Sequence, residues 1–141
     1  MKKKLLHLCY SFLVKCAHHY IKRCKPIVIW INWSVWKTSC RMIIFQTLQK
    51  FFPSKKISTS PKNFNGEFWL SLSVFEITSW APSMWNMLKV CCKALFLSLF
   101  GRKHYDAIVL EYGIDNPWEM DFILKVAHPD IWVFTATYTF I

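Results

Sequence analysis

Residues 26–41, PIVIWINWSVWKTSCR, decide the fold that the sequence predicts. The β-branched run at 27–29 is typical of a strand, and a helix is expected over 37–51. A short loop that ends in Lys37 and Thr38 joins the two. Phosphate-binding loops have this order of strand, tight loop, Lys-Thr pair and helix, and their backbone N–H groups and helix N-terminus bind an anion. The stretch therefore predicts an anion-binding turn.

Such a turn needs glycine, yet tryptophan stands at positions 30, 33 and 36. With glycine there, the segment reads G-I-N-G-S-V-G-K-T and resembles the nucleotide loop of the Mur ligases, ATP-dependent enzymes that form amide bonds in peptidoglycan synthesis. Two further segments resemble the same family. Residues 63–69, NFNGEFW, are similar to its Asn-rich loop, with Trp69 at a glycine position, and residues 105–132 carry Trp118 and Trp132 at glycine positions.

Six of the eight tryptophans thus stand where the family has glycine, and the chain has 3 glycines in 141 residues. That is about 2% glycine against a usual value of about 7%, and six more would raise it to roughly 6%. We interpret the six as UGA codons of a gene that reads UGA as glycine, translated here as tryptophan. The alternative is that tryptophan is encoded and the loop has decayed. A chain that carries indoles at Trp33 and Trp36 should not bind ATP, because they fill the space of the phosphates.

The resemblance implies a P-loop NTPase-like α/β fold, a mainly parallel sheet flanked by helices, as an incomplete domain over 26–141. It implies ATP and Mg²⁺ as cofactors. Lys37 would be the catalytic cation on the β- and γ-phosphates, and the Mg²⁺ ligands would be Thr38 and Glu111. The ATP-binding residues would be those of the loop and the first helical turn, Trp33, Ser34, Val35, Trp36, Lys37, Thr38 and Ser39.

The position of Glu111 indicates a functional carboxylate independently. Residues 107–110, AIVL, are a continuous apolar run, typical of a parallel strand buried on both faces. Glu111 follows at the carboxyl end of this strand, where ligands bind in open α/β sheets. Asn63 and Asn65 are candidates for a loop beside the nucleotide and the acceptor substrate. It is equally expected that these two asparagines only hold a turn.

The resemblance also implies the reaction of the intact parent protein. It would be a cytoplasmic carboxylate–amine ligase of cell wall biogenesis, which activates the carboxylate of a UDP-muramoyl peptide as an acyl phosphate that an amino acid or dipeptide then attacks. The Asn-rich loop is most similar to that of the enzymes that add D-alanyl-D-alanine. Folylpolyglutamate synthetases share the nucleotide loop and remain an alternative. We expect the chain to be an N-terminal fragment without ligase activity of its own.

Charge is distributed unevenly along the chain, whose net charge is +10. Residues 1–62 hold 13 Lys and Arg and no Asp or Glu, which indicates an anionic partner such as a nucleotide, a nucleic acid or a lipid surface. We expect no nucleic acid partner, because the basic residues are not interleaved with exposed aromatic residues. The six cysteines lack C-x-x-C spacing and are interpreted as reduced thiols outside any metal site.

Two helices could contact a membrane. Residues 1–25 predict a basic amphipathic helix, too short and polar to span a bilayer, that either packs on the domain or lies on the inner membrane face. Its expected apolar face is Leu5, Leu8, Phe12, Cys16 and His19. Residues 84–100 predict an apolar helix that covers one face of the sheet. If the tryptophans are genuine, the chain is instead a basic, Trp-rich, membrane-associated protein without enzymatic activity.

Overall fold

A computed structural model describes residues 2–32, 37–60, 67–77, 83–101, 105–112 and 117–134. The helices and strands in these ranges are, in chain order, α1 (Lys2–Cys24), β1 (Ile27–Asn32), α2 (Lys37–Phe51), β2 (Ile57–Thr59), α3 (Glu67–Val74), α4 (Met84–Phe100), β3 (Ala107–Tyr112), α5 (Pro117–Val126) and β4 (Ile131–Phe134). The helices expected over 37–51 and 84–100 are confirmed with those bounds.

The four strands form one sheet in the order β2-β3-β1-β4, and every pairing in it is parallel. The prediction of an α/β fold with a parallel sheet is therefore confirmed. β1 lies inside the sheet, between β3 and β4. Its register sets Ile27 opposite Ala107 and Ile31 opposite Glu111. Asp130 also holds β1, because its carboxylate accepts a hydrogen bond from the Val28 N–H at 2.8 Å.

The helices divide between the two faces of the sheet. On one face, α2 packs its partly buried residues against Ile29, Ile31 and Val109. The other face, which includes Val28 and Trp30, packs against a larger cluster from α1, α3, α4 and α5. β1 connects through α2 to β2, and β3 connects through α5 to β4 in the opposite direction along the sheet. Since these helices lie on opposite faces, both crossovers have the same hand, as parallel sheets require.

Of the five residues expected to form the apolar face of α1, Cys16 alone is buried in the core. Leu5 and Leu8 are exposed, whereas Leu13, Ala17 and Tyr20 are buried in the common core. The apolar residues of α1 cover more than one stripe, so spacing alone did not identify the buried one. The contribution of α1 to the core shows that it packs on the sheet domain along its second half.

The helix α4 packs beside α1, and its buried residues Met87, Val90 and Ala94 belong to the core cluster on the Val28 and Trp30 face of the sheet. The two helices run parallel: Leu8 lines a groove with Leu88 in the first half of α4, whereas His19 Nδ1 donates to the Ser98 carbonyl at 3.0 Å and Arg23 donates to the carbonyls of Leu97 and Gly101 at its end. These bonds tie α1 to the last turn of α4, where the Leu97 carbonyl also accepts from the Gly101 N–H at 2.9 Å. Gly101 is required by close approach, because a Cβ there would lie 2.5 Å from the Leu97 oxygen.

Tyr105 fixes the end of α3 from inside the core. Its hydroxyl donates to the Val74 carbonyl at 2.7 Å, and its ring packs edge-on against Tyr20. Burial raises the pKa of the Tyr105 phenol, and the neighbouring Tyr20 and Glu76 raise it further. The phenol is therefore neutral in the folded protein well into the alkaline range.

We expect Tyr105→Phe to lower the free energy of unfolding by about 1–3 kcal/mol at neutral pH, because the buried Val74 carbonyl loses its donor. The raised pKa adds a pH dependence. Below the unfolded-state pKa of about 10, the phenol is neutral in both the folded and the unfolded chain, and its full contribution to the free energy of unfolding is present. Above that pH the phenol ionises in the unfolded chain first, so the free energy of unfolding falls. The variant should therefore lose less stability than the parent between about pH 9 and 11. Urea denaturation across that range measures both effects, and equal alkaline slopes would contradict the assignment.

Among the helices that the structure describes, none combines the length and the apolarity needed to cross a bilayer.

Candidate functional site

The candidate site lies at the carboxyl edge of the sheet, where β1 ends and α2 begins. Four residues separate Asn32 from Lys37, so the first turn of α2 stays close to the end of β1. The first backbone N–H groups of a helix have no partner within it, and the helix dipole makes that end positive. The sequence thus positions an anion-attracting helix end beside the two central strands, β1 and β3.

Thr38 and Glu111 meet at this edge. The Thr38 hydroxyl donates to both carboxylate oxygens of Glu111, at 3.1 Å to Oε1 and 3.1 Å to Oε2. Glu111 lies opposite Ile31 in the β1–β3 register, one residue before β1 ends, and Thr38 is the second residue of α2. The structure therefore brings together the two residues that the sequence predicted as metal ligands, although 73 positions separate them in the chain.

Arg41 joins this pair from the next turn of α2. Its Nε forms an ion pair with Glu111 Oε2 at 3.2 Å, and the two side chains are only 5% and 8% exposed. Its guanidinium also donates to the Ser60 carbonyl, with Thr59 Oγ1 and Ser60 Oγ at 3.4 and 3.3 Å. Arg41 thus connects α2 to the carboxyl ends of both β3 and β2, and holds the carboxylate of Glu111 in place.

The chain leaves the two central strands toward opposite faces. After β1 it continues to α2, and after β3 it continues to α5 on the other side of the sheet. In open α/β sheets, ligands bind where neighbouring strands diverge in this way at their carboxyl ends. Glu111 and the N-terminus of α2 both lie at that point.

The other predicted site residues divide into two groups. Lys37 begins α2, and Ser39 is an exposed residue of its first turn. The remaining members lie outside the described residues: Trp33, Ser34, Val35, Trp36, Asn63 and Asn65. The predicted roles of these residues, and that of the Lys37 side chain, stay predictions.

Thr38 and Glu111 suit a magnesium ion by chemistry and spacing. Mg²⁺ prefers oxygen ligands at 2.0–2.1 Å in an octahedron and is commonly held by one or two protein oxygens plus water and phosphate. Adjacent ligands of such an octahedron are about 3 Å apart, close to the 3.1 Å between the Thr38 hydroxyl and Glu111. The ion pair with Arg41 falls on Oε2, and a carboxylate has enough lone pairs for a metal at Oε1.

No cluster of three or more His, Cys, Asp or Glu side chains that could hold a metal occurs in the part of the chain that the structure describes. Thr38 and Glu111 would supply two oxygen ligands, and Mg²⁺ bound to a nucleotide usually takes further ligands from water and phosphate. All six cysteines lie in described ranges and are unpaired.

The suspect tryptophans have ordinary backbone conformations wherever the structure describes them. The non-glycine residues with positive φ in the described ranges are Lys25 and Glu76. Trp30, Trp69, Trp118 and Trp132 are not among them, so these positions do not need glycine for its conformational freedom. Trp30 is fully buried and packs edge-to-face on Trp132 with ring centroids 5.3 Å apart. For these four, the recoding hypothesis rests on the sequence pattern and composition alone.

Arg41 is the site residue that the sequence analysis missed. A signal existed, because Arg41, Ile44 and Leu48 follow Thr38 at helical spacing and form the sheet-facing stripe of α2. A lone cation on an otherwise apolar, inward-facing stripe indicates a buried acidic partner. Glu111, at the end of the strand that α2 covers, is that partner.

Comparison of the chain with protein-family models, curated proteins and solved structures finds no match.

Proposed function

We propose that this chain is the nucleotide-binding part of an ATP-dependent carboxylate–amine ligase similar to the Mur ligases. The observation that carries the proposal is the contact of the Thr38 hydroxyl with the Glu111 carboxylate at the N-terminus of α2. A hydroxyl at a helix start, a carboxylate at the end of the adjacent parallel strand and a Lys-Thr pair are the protein groups that Mg²⁺ and a nucleotide phosphate require.

Each residue has a distinct part in this proposal. The N–H groups of residues 33–36 and the start of α2 bind the phosphates, and Lys37 neutralises the charge that develops on them during transfer. Thr38 and Glu111 would hold Mg²⁺, which supplies Lewis-acid stabilisation of the phosphate oxygens. Arg41 is a positioning residue, because its ion pair orients the Glu111 carboxylate.

The substrates follow from the resemblance quoted for residues 26–41 and 63–69. A UDP-muramoyl peptide would supply the carboxylate, and an amino acid or dipeptide would supply the attacking amine. Phosphoryl transfer to the carboxylate gives the acyl phosphate, and the amine then displaces phosphate to form the amide. A folate substrate with glutamate as the amine is the alternative within the same reaction class. This assigns the parent enzyme to the cytoplasm, where its nucleotide-linked substrates are found.

Nucleotide binding tests the proposal directly. The double variant Trp33→Gly/Trp36→Gly opens the loop without changing the buried Trp30, and we expect it to bind ATP in titration calorimetry while the parent chain does not. In that background, Lys37→Ala should weaken ATP binding on the order of 10- to 100-fold, from the roughly 1.5–3 kcal/mol of a hydrogen bond to a charged group. Thr38→Val should remove the part of the affinity that depends on Mg²⁺ and leave binding without Mg²⁺ unchanged.

Thr47→Val is the matched control, because Thr47 is an exposed residue of the same helix α2, away from the sheet edge. It should bind ATP like its background with and without Mg²⁺. The proposal is wrong if the opened loop binds no ATP, or if Thr47→Val changes the Mg²⁺ dependence as much as Thr38→Val.

A further inference from the structure

A broad apolar surface runs along the outside of α1 and α4. Between the first halves of these helices lies a groove of about 720 Å³, and its lining is mostly apolar. The lining includes Leu5, Leu8 and Phe12 from α1 and Met84, Trp85 and Leu88 from α4, each of them exposed. Soluble monomers rarely leave so many large apolar side chains together on one side, and such patches mark interaction sites.

A basic recess adjoins the groove. It has a volume of about 480 Å³ and is lined by Lys15 and His18 of α1 and by Lys125 of α5. Ser11 and Lys15 line both the groove and the recess, so the two are continuous. An apolar channel that opens onto two lysines and a histidine has the polarity of an anionic amphiphile, with an acyl chain at one end and a phosphate at the other.

The charged residues of the two helices that form this surface are all basic. Neither α1, with 23 residues, nor α4, with 17, contains an Asp or Glu. Their basic residues are Lys2, Lys3, Lys4, Lys15, Lys22, Arg23, Lys89 and Lys93. Lys15 lines the groove, and the Lys89 ammonium lies 5.7 Å from the centre of the Trp85 ring.

We propose that the α1/α4 surface docks on an anionic phospholipid bilayer. The apolar side chains of the groove enter the interface between headgroups and acyl chains, as those of interfacial amphipathic helices do. Lys15, His18 and Lys125 bind a headgroup phosphate in the recess. The surrounding lysines add attraction to the negative membrane surface.

A second copy of the chain fits this surface less well. Two copies joined through it would bring two sets of lysines together with no acidic side chain from α1 or α4 between them, and like charges across an interface are unfavourable. The proposal is also separate from the nucleotide site, which involves α2 on the other face of the sheet.

Vesicle sedimentation tests the apolar part of the surface. The full chain should bind vesicles made of equal parts phosphatidylglycerol and phosphatidylcholine, and should not bind phosphatidylcholine alone. Leu8→Ser/Leu88→Ser should lower the partition onto the anionic vesicles by at least about tenfold, because two leucine side chains no longer enter the interface. The matched control is Ile43→Ser/Phe51→Ser on α2, where residues of similar exposure lie on the other side of the molecule.

A second pair of variants tests the recess. Lys15→Gln/Lys125→Gln should weaken binding about fivefold for each lysine removed, and more than the control Lys50→Gln/Lys56→Gln. Binding should also weaken as the salt concentration rises, since the lysines act at the surface. A circular dichroism melt of each variant shows that it is folded.

Three results would overturn the proposal. The first is no binding of the parent chain to the anionic vesicles, and the second is an equal loss of binding in the α2 control. The third is a concentration-dependent dimer in analytical ultracentrifugation that Leu8→Ser/Leu88→Ser dissolves, because the surface would then be an interface between copies. ATP binding by the opened-loop variant should be the same with and without Leu8→Ser/Leu88→Ser.

Discussion

Arg41→Met is expected to lower the free energy of unfolding by about 3–5 kcal/mol, the usual cost of removing one partner of a buried ion pair. Arg41 and Glu111 are 5% and 8% exposed, so water cannot replace the lost cation beside the carboxylate. The same variant removes the hydrogen bonds from Arg41 to Ser60 and so releases β2 from α2. Urea denaturation followed by far-UV circular dichroism measures the change.

The pair between Lys55 and Asp106 is the matched control. Its atoms are 3.8 Å apart, its side chains are 57% and 33% exposed, and Lys55→Met should cost at most about 1 kcal/mol. The double variant Arg41→Met/Glu111→Leu should be more stable than Arg41→Met, because it removes the unpaired charge. If Arg41→Met costs no more than Lys55→Met, then Arg41 and Glu111 are not paired in solution.

Trp30→Gly should destabilise the chain by about 3–5 kcal/mol, the range for truncating a buried aromatic residue to a small one. The Trp30 indole is fully buried on the larger face of the sheet and contacts the Trp132 ring. Glycine in a strand interior adds roughly 0.5–1 kcal/mol relative to alanine. The midpoint of urea denaturation should therefore fall clearly below that of the parent chain.

Trp85→Ala is the control, because Trp85 is exposed on α4 and its loss should change stability little. A Trp30→Gly variant as stable as the parent would contradict the packing and would favour glycine at this position. The nucleotide sequence of the gene is the complementary test. UGA at codons 30, 33, 36, 69, 118 and 132 would support recoding, and UGG at most of them would exclude it. UGG would also leave the nucleotide-binding proposal without its loop.

The strands and helices could be predicted because their signals are local. Residues 27–29 and 107–110 are continuous apolar runs, and both form central strands. The buried faces of the helices were harder. In α2 the apolar residues Met42 and Ile43 would be expected in the core from their composition, but both are exposed, while the less apolar stripe through Arg41 faces the sheet. Which face of a helix is buried depends on strands that are distant in the chain. The periodicity of the helix itself carries no information about those strands.

For the candidate site, the sequence predicts the edge of the sheet at which the residues lie but not all of their contacts. Thr38 follows a strand and opens a helix, and Glu111 ends a strand, so the parallel topology alone indicates that they share one edge. The order β2-β3-β1-β4, in contrast, is set by long-range pairing, and it is this order that makes β1 and β3 neighbours. The contact of Arg41 with Ser60 needs the position of β2 as well, and no local pattern specifies it.

The central place of β1 has a consequence during translation. β1 ends at Asn32, and β3, its partner on one side, begins 75 residues later at Ala107, while β4 follows only at Ile131. At about 5–20 residues per second, the ribosome needs roughly 4–15 s to make that interval. Throughout it the apolar strand IVIWIN has both edges open, which is the state in which nascent strands aggregate. The nascent chain should therefore depend on a holding chaperone until β3 emerges, and slow folding through these distant pairings is expected even afterwards.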